Sequence, residues 1–358
     1  MAGIFYYVSG HGYGHAVRSA QVISALRTLA PELPLWVRTT APGWLFPTDT
    51  LLEPVQLDLG ALQRGSLHVR RLETLQAFHG LMQSEEAQIT REVQLARQRE
   101  ISCVVADIPS AAFEIAQRLN IPGIGVANFC WHWIYEPYAH RFPAYRHVVE
   151  HIRRQEHQAT ILLRLPFAWE FDCFNDIQDV PLIGRRAQNH RLDTRRRLAV
   201  SSNQQVALLS FGGFGLDQLS AERLARWSDW LFLTTDSARP SGRVGNIQNV
   251  SDSTVSYVDV MVASDAVVTK PGFGIVSDAL VNHVPVLYSD RGEFREYGML
   301  SRALRTHGRA KFIPRSALVN GELGPYLDRL RRMSKPWATM EITGAELIAK
   351  HILDFAVR

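Results

Sequence analysis

Apolar residues along the chain fall into short continuous runs separated by stretches with helical spacing, and this alternation occurs twice. In the first half, runs at 4–8, 33–38, 101–106 and 121–126 predict buried strands, with helices at 16–29, 84–99 and 110–119 between them. Near residue 181 the pattern lapses. Residues 183–197 carry few apolar side chains and many arginines, which predicts a connection holding a short helix at most. The alternation then restarts, with strands expected at 205–210, 230–234, 246–250, 266–268 and 284–288. Helices are expected at 217–228, 258–263, 274–282, 296–306, 315–318 and 323–333. A last helix, about 340–356, follows Pro336 and is placed to cross back onto the first half. Strands alternating with helices predict mainly parallel sheets covered on both faces. The expected fold class is therefore α/β, with two Rossmann-like, doubly wound domains facing a central cleft. Residues 1–182 form the first domain, 183–338 the second, and 339–358 the crossing helix.

The length of 358 residues agrees with two cores rather than one. Lys and Arg number 39 against 35 Asp and Glu, a net charge of +4, which is too small for a general nucleic-acid binder of this size but compatible with an anionic ligand. The three cysteines, Cys103, Cys130 and Cys173, have an odd count and no metal-ligand spacing along the chain. They read as core residues of a cytoplasmic protein, and no metal is expected. The chain passes from Met1 directly into an apolar strand without the pattern of a secretion signal, and no run approaches the ~20 apolar residues of a membrane span. Arg141, Arg146, Arg153 and Arg154 lie among aromatic and aliphatic residues. They read as a solvated helix face before a membrane patch, which leaves room for a peripheral membrane contact.

The densest chemistry lies at 265–298. A short apolar strand ends in Lys270-Pro271-Gly272-Phe273-Gly274, and a helix carrying Ser277 and Asp278 follows. Such a turn gathers backbone N–H groups and the positive end of a helix dipole, which suits a diphosphate. Asp278, about one turn in, has the chemistry to bind a pair of sugar hydroxyls. A glycine that merely ends a strand would give the same local pattern. A second glycine turn, Phe211-Gly212-Gly213-Phe214-Gly215, follows the strand at 205–210 and offers further amides. Arg185 has a guanidinium suited to phosphate oxygens, or is a solvated linker arginine.

A third turn, Ser9-Gly10-His11-Gly12-Tyr13-Gly14-His15, follows the first strand and places two histidines at a helix start. No acidic residue ends a second strand about 20 residues later, so this is not a dinucleotide fingerprint. A histidine here can act as a general base if an acid fixes its tautomer. Asp107, directly after the strand at 101–106, is the candidate acid, with an N-cap for the helix near Ser110 as the competing role. Trp131, His132, Trp133, Tyr135 and Tyr138 form an aromatic segment whose rings could stack on an acceptor or pack in a core.

Together these motifs resemble the two-domain GT-B nucleotide-sugar glycosyltransferases. In pattern they are similar to the peptidoglycan N-acetylglucosaminyl transferase family. Gly10-His11-Gly12-Tyr13-Gly14-His15, Val126-Ala127-Asn128-Phe129-Cys130-Trp131 with Ile134-Tyr135, and Lys270-Pro271-Gly272-Phe273-Gly274 are similar to the N-terminal region of L-arabinokinase-like proteins. The resemblance spans essentially the whole chain. It implies His15 as base with Asp107 as partner, His11 in support, and Gly14 close to the donor. It further implies Arg185 at the diphosphate, the Val258 amide at the base, Asp278 at the ribose, and Arg295 with Glu296 at the donor sugar. Gly212, Gly213, Lys270, Gly272, Phe273, Gly274 and Ser277 would line the donor site, and Trp131 and Tyr135 the acceptor side. Asp278 stands where the family usually has Glu, and Arg295-Glu296 replace an expected Gln or Asp-Gln pair.

The function this implies is transfer of a sugar from a nucleotide diphosphate sugar, with UDP-sugar expected, to an acceptor hydroxyl or amine, with inversion and without a metal. The nucleotide sugar is a co-substrate, and no cofactor is expected. A nucleotide-sugar epimerase and a non-catalytic nucleotide-sugar-binding module use similar sites and stay open at this point.

Overall fold

Strand β1 (Gly3–Val8) is buried at every position, as a short apolar run must be when it lies in the middle of a sheet covered on both faces. In the computed structural model, which describes residues 3–64, 68–211, 219, 221–235, 241–251, 253–290, 292 and 294–356, this strand is an interior strand of one of two seven-stranded sheets. The chain divides into two compact units. One comprises Met1–Leu62, Val69–Ile183 and Glu341–Arg358, the other Gln63–His68 and Gly184–Met340.

In the first unit β1 is followed by α1 (Gly14–Leu29), β2 (Leu35–Arg38) and β3 (Leu51–Glu53). The two-residue strands β4 (Gln63–Arg64) and β5 (His68–Val69) follow in sequence, with Gln63–His68 belonging to the second unit, before α2 (Arg71–Gln98). Then come β6 (Ile101–Asp107), α3 (Ala111–Leu119), β7 (Gly123–Ala127), α4 (Trp131–Arg141), α5 (Arg146–Glu156), β8 (Ile161–Arg164) and β9 (Ile177–Asp179). The seven-stranded sheet has the order β3-β2-β1-β6-β7-β8-β9, with every pairing parallel. The order runs outward in both directions from the β1–β6 pair, so that pair is the topological switch point, where doubly wound sheets open a crevice at their carboxyl edge.

The second unit holds α6 (Arg191–Arg197), β10 (Gln205–Ser210), α7 (Ala221–Ala225), β11 (Trp230–Thr234), β12 (Gly242–Val244), β13 (Ile247–Asn249), α8 (Tyr257–Ala263), β14 (Ala266–Thr269), α9 (Phe273–Val281), β15 (Val286–Tyr288), α10 (Tyr297–His307), β16 (Ala310–Phe312), α11 (Arg315–Val319) and α12 (Gly324–Arg331). Its sheet has the order β12-β13-β11-β10-β14-β15-β16, parallel except for the β12–β13 pair. Here the switch point is the β10–β14 pair, and the glycine turn at 270–274 leaves β14 at that point.

The last helix, α13 (Gly344–Ala356), packs on α1 in the first unit. Leu182 N–H donates to Glu341 O at 3.1 Å, and a Cβ on Gly344 would stand 2.2 Å from Pro181 O, so only glycine allows this approach. Two ion pairs, one buried and one half-buried, brace the same unit. Arg38 binds Glu92 and Glu53, and Tyr7 Oη donates to Glu92 Oε2 at 2.8 Å.

Some elements differ from the sequence expectation. Helix α2 begins at Arg71, not near 84; its first turns bury only Thr74, Leu75 and Phe78, too few inward positions to show a helical spacing in the sequence. α4 contains Pro137. Strands β8 and β9, not anticipated, extend the first sheet, and Arg141, at the end of α4, and Arg146, Arg153 and Arg154, on α5, are exposed. No described helix is long and apolar enough to cross a membrane.

Candidate functional site

In the first unit the parallel pairing of β1 with β6 puts Val8 beside Asp107, and Ser9 N–H donates to Asp107 O at 2.9 Å. The histidine turn and Asp107 therefore leave the sheet side by side at the switch point. His15 Nδ1 lies 2.8 Å from Asp107 Oδ1. Asp107 is fully buried, and its other contacts are all donors: Arg18 Nε to Oδ2 at 2.7 Å, Arg18 Nη2 to Oδ1, and Ser19 Oγ to Oδ2 at 2.8 Å. Burial alone would raise its pKa, but the Arg18 charge and hydrogen bonds, with His15, outweigh that and bring it down to about 2. Asp107 is thus a carboxylate at neutral pH. A proton on His15 Nδ1 is then the tautomer it favours, which leaves Nε2 as an acceptor.

Arg18 is held in turn by Asn128 Oδ1 at 2.6 Å, just past β7. The helix beginning at Ala111 has Ser110 at its cap with no side-chain cap bond, so Asp107 faces the histidine rather than capping α3. The chain leaves Asp107 through Ile108 at φ +133, a rare conformation for a β-branched residue and a local strain at the site.

His11 packs edge-on to Trp131, with ring centroids 5.4 Å apart, and a Cβ on Gly60 (φ +64) would stand 2.2 Å from the His11 ring. Trp131 Nε1 donates to Asp58 Oδ2 at 2.6 Å, and Tyr135 Oη to Gly60 O at 2.6 Å. Burial pushes the Asp58 carboxyl up, partly offset by hydrogen bonds from Ser9 and Trp131. Trp131 and Tyr135 are 0% exposed and stacked on each other, so they are core side chains that shape the histidine turn from beneath rather than faces offered to an acceptor. The exposed rings beside this turn are Tyr13 and Trp44, in edge contact at 5.2 Å, with Trp44 71% exposed.

In the second unit Gly272 is the N-cap of α9 and makes no side-chain cap bond, and a Cβ at Gly272 or Gly274 would meet nothing within 4 Å. The first turn of α1 is similar: no side-chain cap, no acidic residue, and open space at Gly14. By contrast α8, which carries Val258, is capped by Ser256 and has Asp259 in its first turn. Helix starts without caps leave N–H groups for a ligand or solvent.

Asp278 and Arg185 are brought together, but with each other. Asp278 Oδ1 accepts from Arg185 N at 2.8 Å, and Oδ2 from Arg185 Nε at 3.1 Å and Nη2 at 2.6 Å. Asp278 is buried, and its carboxylate, with Asn282 on Arg185 O and Ala187 N, clamps the connecting segment to α9. In this arrangement the buried Asp278 carboxylate is not presented to a ribose, and Arg185, half-buried, spends Nε and Nη2 on it. Phe273, Ser277 and Val258 are buried, Lys270 half-buried, Arg295 exposed and Glu296 buried at the start of α10. Gly212 and Gly213 lie outside the described residues.

Comparisons with known proteins bear on the fold of the whole chain. The chain is 32% identical over 360 residues to the L-arabinokinase of Arabidopsis thaliana, a match that covers 98% of this chain and 34% of the relative, so it spans about a third of that protein's length. The structure of the spinosyn rhamnosyltransferase SpnG superposes with a TM-score of 0.62 at 13% identity, over 100% of this chain and 96% of the other. The glycosyltransferase VinC in complex with dTDP does so with a TM-score of 0.56 at 14% identity, over 99% and 95%. The chain has the GT-B glycosyltransferase fold. No protein-family model matches it.

Within this GT-B chain, sequence reasoning missed Arg18, Ser19, Asn128 and Asp58. The first two had a signal, since they sit three and four residues after His15 on one helix face. Asp58 had none, because only tertiary folding brings its loop beneath Trp131.

Proposed function

We propose that the chain transfers a glycosyl group from a nucleotide diphosphate sugar to an acceptor hydroxyl or amine, by single displacement with inversion and without a catalytic metal. The observation that carries this reading is the contact of His15 Nδ1 with the ionised Asp107 carboxylate at the switch point of a GT-B chain. With Nδ1–H held by Asp107, His15 Nε2 accepts the acceptor's proton. The acceptor atom bonds to the anomeric carbon as the bond from that carbon to the phosphate oxygen breaks, and the nucleoside diphosphate departs with the electron pair. The open glycine turn and uncapped start of α9 support a role in holding that diphosphate. The dTDP bound to VinC supports a nucleoside diphosphate as the ligand class, with UDP-sugars the first donors to try.

A second reading, a nucleotide-sugar-binding module without turnover, is favoured by one observation: the chain matches about a third of the length of an L-arabinokinase, a larger protein with a different named activity. The test is a thermal-shift screen against UDP, dTDP, GDP, ADP, CMP and their sugar conjugates, followed by assay of nucleotide release with an acceptor panel. Selective stabilisation with release of nucleotide and a glycosylated product supports transfer, and His15→Ala should then abolish transfer while keeping the shift. Release without a glycosylated product points to epimerisation or hydrolysis. Stabilisation without turnover supports the binding module, and no shift with any ligand overturns the donor site.

A further inference from the structure

The fold gathers four potential ligands that are far apart in sequence and unused by the reaction above. Cys130 caps α4, His132 lies in its first turn, Glu156 ends α5, and Cys173 lies between β8 and β9. All four are buried, and one ligand atom from each lies within 4.8 Å of all the others. Cys130 Sγ is 3.3 Å and Cys173 Sγ 3.6 Å from His132 Nδ1, and Cys173 Sγ is 3.3 Å from Glu156 Oε2. In a tetrahedral zinc site with Zn–S of about 2.3 Å and Zn–N or Zn–O of about 2.0–2.2 Å, neighbouring ligand atoms stand about 3.5 Å apart. The sulfur contacts already match that edge. The His132–Glu156 contact is closer, so one of its partners must turn to admit an ion.

A second, independent observation identifies what is missing. Glu156 is 1% exposed, yet its Oε1 has no hydrogen-bond partner. A buried carboxylate oxygen left unsatisfied is costly, and a cation removes the cost. Glu156 and Cys130 also line a small cavity, which gives the carboxylate room to rotate. His132 Nε2 faces Asp172 Oδ1 at 3.6 Å, the kind of carboxylate partner that orients a metal-bound imidazole.

We propose that Cys130, His132, Glu156 and Cys173 bind a structural zinc ion in the first unit. The ion ties the start of α4 to the end of α5 and to the β8–β9 connection. Because Cys130 and His132 flank Trp131, it also fixes the indole on which His11 rests.

The experiment uses full-length, tag-free protein, loaded with zinc, freed of excess metal by gel filtration and analysed for metal content. About one zinc per chain is expected. Cys130→Ser, Cys173→Ser and Glu156→Gln should each lower that at least tenfold, while Cys103→Ser, a buried cysteine outside the cluster, should keep it. Since these variants could fail to fold, the wild-type protein gives a separate reading. Cobalt substitution should produce thiolate-to-metal charge-transfer absorption, and stripping the metal should lower the thermal midpoint, restored by zinc. Less than a tenth of an equivalent of zinc after loading, with no cobalt spectrum, overturns the proposal. So does a mass lower by two hydrogens with loss of two titratable thiols, which would show a Cys130–Cys173 disulfide instead.

Discussion

Asp107→Asn tests the centre of the first unit's site because it changes charge with little change in shape. Asp107 faces Arg18 and His15 while 0% exposed, and the Arg18 side chain is 3% exposed. A carboxyl that titrates at about 2 in the folded chain, against an ordinary 3.8, binds its proton less readily folded than unfolded. Its contribution to stability is therefore fully present above about pH 4 and is lost as pH falls toward 2. At about 1.4 kcal/mol per tenfold change, 3.8 − 2 gives about 2–3 kcal/mol. The amide loses this term and also leaves a buried guanidinium without its counter-charge, for which a total of about 3–5 kcal/mol is typical.

The assay is urea unfolding followed by tryptophan fluorescence from pH 7 to pH 2. At a slope of about 3 kcal/mol per molar, Asp107→Asn should lower the midpoint by about 1 M or more at pH 7. Asp179 and Asp259 also titrate below their ordinary value, so both proteins lose stability in acid. The difference between the two curves is the readout, and it should shrink between pH 4 and pH 2. Arg18→Met added to Asp107→Asn should recover at least half of the loss, since both charges are then gone. An unchanged midpoint at pH 7, or a difference that persists undiminished at pH 2, would refute the electrostatic account.

Three further outcomes follow from the packing. Gly272→Ala should change stability by less than about 0.5 kcal/mol, since the new methyl meets nothing within 4 Å, yet weaken nucleotide binding measured by calorimetry; unchanged affinity would remove this turn from the donor site. Gly60→Ala forces a side chain onto φ +64 and into the His11 ring, and should cost more than about 1 kcal/mol in denaturant melts. Trp44→Ala, at a ring 71% exposed, should leave the melting temperature in place and alter KM for an acceptor, once one is known, more than kcat.

The strands on either side of both switch points, β1, β6, β10 and β14, were legible because each is a buried apolar run that ends at a polar or glycine residue. The edge strand β9, Ile177-Gln178-Asp179, is held by its parallel neighbour rather than by a pattern of its own, and no periodicity announces it. The His15–Asp107 contact was legible for the same reason as the strands, since two side chains that follow paired parallel strands must emerge at one edge. Arg185 and Asp278 show the limit of that reasoning. Sequence position put Arg185 in the connecting segment and Asp278 one turn into α9, but only the folded chain reveals that the buried carboxylate takes that guanidinium.

The three cysteines are buried, as core residues should be, but the cluster two of them join was not legible. Metal-ligand spacing along a chain detects sites built from one or two local loops, whereas Cys130, His132, Glu156 and Cys173 come from three separate segments that meet only after α4 and α5 have packed. The same convergence explains why Trp131 looked like an acceptor surface. A tryptophan flanked by Cys130 and His132, stacked on Tyr135 and bonded to Asp58, is fixed on every side by groups its neighbours in sequence do not predict. Its place is beneath the histidine turn, and the described rings open to solvent beside that turn are Tyr13 and Trp44, which is why the Trp44→Ala variant is the one that tests for an acceptor contact.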